Sequence, residues 1–543
     1  MSQSRNLLFT LFAILIIIIF YFIDLGNING LRQGTEGFYL QIAKEMFNAK
    51  SFMTPLYMGA EHWSKPPLHF WMAMPFYAID GEPSLFMSRL SVLLLTFFSI
   101  FGFSLWVKRN FNASFLTTFL FFLSTFCFFK YGRIYMMEIP LACLTALGSL
   151  YFLDYINTQS KRYLVLAALF TGLSILVKGP VSLVMAVGGS FLYQIYLYYT
   201  RKKIILKEGI YWTLLSLLIG SIWFIACYTK YGSEFFNYFF LRENVGKFTA
   251  QSYPIRHVFQ GLIIYALPWS FFIPFIYYFF LDRKDINRSE IVNDNFMFVF
   301  LNFFFFFVLW LIPSQRSHHY AVPSIPFFLI LIYKSSFLVD LAPRRRQLFN
   351  FLCYLISIFL LVLVFFLAVS LTLKDIHSNT YHLISILFAM GSCIVGALFF
   401  ANKSANIYKF FCAALVFGSF WTILIPSFTL PLVPGKVIDV VGNNKIVSTV
   451  HKPYFVSESF NRDVEAVPRD KLSSYMAYNH TYAITYKSNF DELALGQHTV
   501  IIEEWKVWKR RRTLAHIMDA LKQGNIDSLK EPMVLIKNTD YNP

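Results

Sequence analysis

The acids and bases of this 543-residue chain gather between long apolar runs. The stretch ahead of residue 84 offers Arg32, Glu36, Glu61, His62 and Lys65; the next connection of the same kind offers Lys130, Arg133 and Glu138. Lys178 follows, then Glu243, then Arg316 with His318 and His319. Ionisable groups at or near a bilayer are costly to place, so they are candidates for function. Carboxylates that can take a proton, beside cations that can hold a phosphate, suit a reaction on an anionic lipid. Singly, each signal has a plainer reading. A Lys or Arg near a helix end usually snorkels to the headgroups, and that is the reading for Lys130. Neighbouring residues such as His318 and His319 point apart on regular structure and do not ligate one ion together. All six cysteines lie inside apolar runs, with neither metal-ligand spacing nor a disulfide framework.

The elements that must position these residues are membrane spans. The chain is 57% hydrophobic and 20% aromatic but only 14% charged, with a mean hydropathy of +0.53. That excludes a protein soluble as a whole. About thirteen runs are long enough to cross a bilayer: 7–23, 85–107, 113–130, 138–156, 163–178, 180–199, 211–229, 258–280, 295–313, 321–340, 349–373, 382–400 and 409–433. The net charge of +17 comes largely from short basic loops, among them Lys108-Arg109, Lys161-Arg162, Arg201 to Lys203, Arg283-Lys284, Arg344 to Arg346 and Lys403. Such loops belong in the cytoplasm, so the charge reports topology and gives no sign of nucleic acid. The N-terminus is then cytoplasmic and the candidate groups share the outer face.

Two outer loops are long, at 24–84 and roughly 230–257. The first contains a helical pattern at 36–49 and an amphipathic stretch at 67–79, too short to span and suited to the interface. After Pro434-Gly435 the apolar runs stop. The expected architecture is a polytopic α-helical membrane domain over 1–433 and a small soluble α/β domain over 434–543. In the second, 481–486, 498–505 and 533–536 read as strands and 512–523 as a helix.

The order of the motifs is more specific than any one of them. Arg32-Gln-Gly-Thr35-Glu36-Gly-Phe-Tyr39 is followed by Trp63-Ser64-Lys65-Pro66-Pro67, Arg133-Ile-Tyr-Met-Met-Glu138, Lys178-Gly179-Pro180, Glu243-Asn244-Val-Gly-Lys247-Phe248 and Gln315-Arg316-Ser-His-His-Tyr320. The series resembles the bacterial polyprenyl-phosphate-sugar-dependent glycosyltransferases of the GT-C superfamily, which include the lipid A aminoarabinose transferases and protein O-mannosyltransferases. The resemblance covers the first ten spans; beyond them it is architectural. Two positions depart from it: Thr35-Glu36 stands where the family usually has Asp-Glu, and Ser64 stands where many members have Glu.

The resemblance implies an integral enzyme of the bacterial inner membrane, with site and C-terminal domain periplasmic. Its partners would be a polyprenyl-phosphate sugar, a lipid or glycan acceptor and the bilayer. Glu36, first choice, or Glu138 or Glu61 would supply the base. Lys65, Arg133, Lys178, Arg316 and Tyr320 would bind the donor phosphate. No cofactor is certain, and a divalent cation is the alternative holder of the phosphate. A lipid or glycolipid transporter or flippase is the rival reading, but it calls for inverted repeats and broken midplane helices rather than charge gathered at one face.

Overall fold

The computed structural model describes residues 2–31, 34–244, 253–281, 290–314, 316–338, 342–371, 379–402, 405–450, 454–478, 481–493, 499–509, 514–523 and 526–538. Arg32, Gln33, Lys247, Phe248, Arg283, Lys284, Gln315 and Lys403, named above, lie outside these. The described residues fall into two compact units: Met1–Gly26 with most of the chain from Ile42 to Ile425, and Asn27–Gln41 together with Pro426–Pro543.

The first unit is helical. It begins with α1 (Ser2–Phe22); α2 (Gly34–Asn48) runs from the second unit into the first. The short α3 (Leu68–Trp71) and α4 (Met74–Asp80) occupy the amphipathic stretch. Then come α5 (Leu85–Phe111), α6 (Phe115–Leu123), α7 (Phe126–Tyr131), α8 (Glu138–Thr158), α9 (Lys161–Lys178) and α10 (Pro180–Arg201). They are followed by α11 (Leu206–Gly220), α12 (Ile222–Phe236), α13 (Arg256–Tyr265), α14 (Pro274–Leu281), α15 (Glu290–Leu309) and α16 (Ile325–Phe337). The last are α17 (Pro343–Ser370), α18 (Thr380–Ala401) and α19 (Asn406–Gly418). This is a multi-pass membrane protein.

Every apolar run read from the sequence contains helix, but not every run is one straight span. Among the described residues seven helices are long and apolar enough to cross alone, and two bent pairs raise the number to nine. The pair beginning with α11 bends by 48° at Gly220-Ser221, the small-residue combination that most readily kinks a helix. The pair containing α13 and α14 turns by 103° near Pro268, which lacks the N–H that would continue the ladder. The run at 113–130 divides into α6 and α7 around Ser124-Thr125.

Helix α8 is the centre of this unit: 94% of its apolar window is buried, against 28% for α17. It packs most closely on α9, where Gly148 makes the approach possible. A Cβ there would stand 2.2 Å from Thr171 Oγ1. Small residues at such crossings let backbones come together where lipid offers no hydrophobic drive. The helix ends away from Glu138 are tied by a polar ladder. Arg109 and Asn110 of α5 meet Asp154 of α8 at 2.6 and 2.9 Å, Asn295 of α15 donates to Asn110 (3.0 Å), and Asn157 donates to Asn295 (2.9 Å). Arg201 of α10 pairs with Asp294 at 3.1 Å. The spans that carry the site are thus fixed at their far ends by directional bonds.

A hairpin in the first loop pairs β1 (Leu56–Tyr57) with β2 (Ala60–Glu61). Its Met58-Gly59 turn donates two backbone N–H bonds, of 2.9 and 3.0 Å, to the Glu45 carboxylate.

The second unit is built on a five-stranded sheet of β3 (Ile446–Ser448), β4 (Glu465–Ala466), β5 (Tyr482–Tyr486), β6 (Thr499–Trp508) and β7 (Lys530–Asn538), ordered β4-β3-β5-β7-β6. The β4-β3-β5 side is parallel and the β5-β7-β6 side antiparallel. Ile446, Ile484 and Leu535 enter one apolar core; Val447, Ala483, Val534 and Ile536 enter the other. Covered on both faces, β3 and β7 lack a clean alternation, whereas the edge strand β6 keeps one. Trp505 and Trp508 donate to the carbonyls of Leu432 and Phe428 at 3.0 and 2.8 Å, binding the preceding segment to the sheet.

Candidate active site

Glu138 opens α8 and is buried in its first turn, where the helix dipole favours a carboxylate. Its Oε1 stands 3.6 Å from His319 Nε2, while its buried Oε2 has no hydrogen-bond partner among the described residues. The opposite nitrogen of His319 bonds Ser317 Oγ at 2.9 Å. The Tyr320 ring stands edge-on to His319 and packs on Trp310, both at 4.9 Å. Over these two rings lies Lys178, its Nζ 4.8 Å from the Trp310 centroid and 5.7 Å from that of Tyr320. One carboxylate, one imidazole, one ammonium and two aromatic faces therefore meet at one end of α8 and α9.

The chain places Lys178 by local means. It is the last residue of α9; Gly179 follows at φ +84°, and Pro180 starts α10. Proline suits the first helical position, and the backbone between the helices needs a residue that tolerates positive φ. A Cβ on Gly179 would also stand 2.9 Å from the Phe239 ring.

A second cluster surrounds Lys65. Its Nζ is 3.5 Å from Glu243 Oε2 and donates to the Ser64 carbonyl at 2.7 Å. His62 bonds Ser64 Oγ (2.7 Å) and Tyr238 OH (3.1 Å). Burial, with Lys65 and Arg242 nearby, holds the His62 imidazole below its usual range despite the opposing pull of Glu243. Ser64, where the resembled family has Glu, thus serves His62, and the carboxylate beside Lys65 comes from Glu243. Trp63 carries the two clusters toward one another: it packs in one apolar group with Phe239 and with Leu176, two residues before Lys178. The Tyr135 OH, three residues before Glu138, donates to the His69 carbonyl at 2.8 Å.

The remaining candidates have other partners. Arg133 Nε donates to the Tyr21 carbonyl (3.0 Å) and its Nη2 to that of Ile23, while Arg89 donates to Leu25 (2.9 Å). Both arginines thereby satisfy carbonyls at the end of α1, and burial brings the Arg133 guanidinium down to about 10. Arg316 bonds the carbonyls of Leu311 (2.8 Å) and Tyr253 (3.1 Å). Glu61 is exposed on β2. Glu36, the first choice for a base, is buried in the first turn of α2 and counts with the second unit. There its neighbour Gly37 abuts the Tyr454 ring.

Other neighbours of these clusters have plainer readings in the sequence. Trp310 ends an apolar run and reads as core. Lys130 reads as a snorkelling end, yet its Nζ lies 5.2 to 5.8 Å from the rings of Tyr131, Tyr265 and Trp421. His318 turns away from His319, stacking on His257 at 4.7 Å. Among the described residues no three His, Cys, Asp or Glu side chains converge as a metal site.

Comparison with solved structures bears on the whole chain. The structure of ArnT from Cupriavidus metallidurans bound to undecaprenyl phosphate superposes with a TM-score of 0.70, at 16% identity, over 97% of this chain and 98% of that one. This chain has a GT-C membrane fold. Sequence comparisons match shorter stretches. The family model for dolichyl-phosphate-mannose-protein mannosyltransferases matches residues 64–225. An Aquifex aeolicus protein described only as uncharacterised is 28% identical over 326 residues, 59% of this chain and 62% of its own length. The undecaprenyl phosphate-alpha-4-amino-4-deoxy-L-arabinose arabinosyl transferase 1 of Sodalis glossinidius is 28% identical over 261 residues, 45% of each chain. The chain thus spans less than two thirds of either relative in sequence, although the GT-C fold extends over nearly all of it.

Proposed function

We propose that this protein is an integral membrane glycosyltransferase that moves a sugar from a polyprenyl-phosphate donor to lipid A, another glycolipid or another periplasmic acceptor. The observation that carries the reading is the Glu138–His319 pair beside Lys178: a buried carboxylate oxygen with no hydrogen-bond partner among the described residues, next to a cation. The bound lipid of the Cupriavidus structure supports the donor class.

In this mechanism Glu138 Oε2 accepts the proton of the acceptor hydroxyl while His319 holds Oε1 in place. The acceptor oxygen forms its bond to the anomeric carbon as the bond from that carbon to the phosphate oxygen breaks. The electron pair leaves with the polyprenyl phosphate. Lys178 and Lys65 neutralise the departing charge, and Tyr320 holds Lys178 over its ring. A single displacement inverts the anomeric centre. Glu36 and then Glu61 are the further candidates for the base. Arg133 and Arg316 act on the phosphate only through the backbone they brace. The polyprenyl chain keeps the donor in the bilayer, so the reaction belongs at headgroup depth. The protein would reside in the bacterial inner membrane, with its N-terminus cytoplasmic and the site and residues 434–543 periplasmic.

The test is incubation of the purified full chain with a panel of polyprenyl-phosphate sugars and candidate acceptors, following release of the lipid phosphate. One sugar should be transferred, and Glu138→Gln should lower its rate by about 10²- to 10⁴-fold, the usual contribution of a general base. Full turnover by Glu138→Gln together with loss in Glu36→Gln would move the base to Glu36.

A further inference from the structure

At the end of α10 opposite Lys178, a cavity of about 210 Å3 opens between α8, α10 and α11. Its walls are apolar: Phe152 and Leu206 among others, with Phe191, Ile210 and Leu214 also exposed on the outer surface of the helices. Ser190, Gln194, Trp212 and Thr213 interrupt the apolar lining. Ser190 Oγ and Trp212 Nε1 belong to lining residues more than nine-tenths buried, and neither has a hydrogen-bond partner among the described residues. The connection from α10 to α11, beside this cavity, carries exposed Lys202, Lys203 and Lys207. Gln194, another lining residue, shapes that connection by bonding the backbone of Lys203 and Ile205 at 3.4 and 2.5 Å.

From the apolar cleft and the three lysines beside it we infer that this cavity is a binding site for an anionic diacyl phospholipid. One acyl chain fills the cleft. The headgroup phosphate meets the lysines. The site is separate from the Glu138–Lys178 cluster, and its test needs no transferase activity.

The full chain in detergent is titrated with dioleoyl phosphatidylglycerol or dioleoyl phosphatidylcholine, and bound lipid is counted by native mass spectrometry. The wild type should take up the anionic lipid with about tenfold preference. Gly209→Phe fills the cavity; a Cβ at Gly209 meets nothing within 4 Å, so the ring has room to enter. It should abolish the tightly bound lipid. The combined Lys202→Ala, Lys203→Ala and Lys207→Ala variant, altered only on exposed positions, should fold and bind both lipids equally. Undiminished phosphatidylglycerol binding in Gly209→Phe, or an unchanged preference in the lysine variant, would overturn the assignment. So would displacement of phosphatidylglycerol by an equimolar polyprenyl phosphate, which would give the cleft to the donor's tail.

Discussion

Oε1 of Glu138 and Nε2 of His319 stand 3.6 Å apart, joining the first turn of α8 to a turn 181 residues further along the chain. The contact turns one carboxylate oxygen toward the imidazole and leaves the other for a substrate proton. His319→Ala should therefore lower transfer by about 10- to 100-fold, less than Glu138→Gln, because the carboxylate remains but loses its orientation. Single-turnover rates with prebound donor would measure this; equal losses would mean that the imidazole itself transfers the proton.

Gly179→Ala should destabilise the membrane unit by about 1–3 kcal/mol, the usual cost of a side chain in a conformation that only glycine adopts freely. The same change moves Lys178, so donor affinity should fall with stability. Thermal unfolding in detergent and binding of a polyprenyl phosphate would report the two effects. Lys178→Ala should weaken donor binding while leaving unfolding nearly unchanged.

Arg133→Ala should behave in the opposite way. Its guanidinium satisfies the carbonyls of Tyr21 and Ile23, so its loss should reduce stability by about 2–3 kcal/mol. Donor affinity should change far less than in Lys178→Ala. A donor-binding defect larger than the stability defect would put Arg133 at the phosphate.

The two arginines and the bent spans show where reading the chain alone stops. Lys65, Glu138 and Lys178 stand out in the sequence because each stands where an apolar run meets a helix cap or a proline. The tail was legible where a strand has one wet face, as in β6, or sufficient length, as in β5. It was not legible in β3 and β4, three and two residues long. Hydropathy records how apolar a run is but not its direction, so the 48° and 103° bends left no trace in it. Arg133 reads as a phosphate ligand in the sequence, and its carbonyl partners, Tyr21 on α1 and Ile23 just beyond it, lie more than a hundred residues away, which no motif records.

Acid should loosen the Lys65 cluster. Because burial lowers the His62 pKa below its unfolded value, the unfolded chain binds the extra proton first, and stability should rise with pH. The His62 contribution is fully present above about pH 6.5, the unfolded value, and is lost as pH falls through the lower folded value. Comparing melting temperatures of wild type and His62→Gln from pH 5 to 8 should show curves that diverge at neutral pH and converge in acid. Parallel curves would remove His62 from the linkage.

Chelation should not stop transfer. Lys178 stands beside the Glu138–His319 pair and Lys65 lies in the second cluster, so cationic side chains can hold the phosphate without a metal. Turnover should survive excess EDTA, and loss restored by added Mg²⁺ or Mn²⁺ would contradict this.

The most direct test is the stoichiometry of a single incubation. Purified wild-type chain and Glu138→Gln are each given a radiolabelled polyprenyl-phosphate sugar and acceptor, and both product and freed lipid phosphate are counted. The account predicts one lipid phosphate released per sugar transferred by the wild type, an inverted anomeric centre, and a Glu138→Gln variant that binds the donor but scarcely turns it over. Retained anomeric configuration, or a Glu138→Gln variant as fast as the wild type, would contradict it.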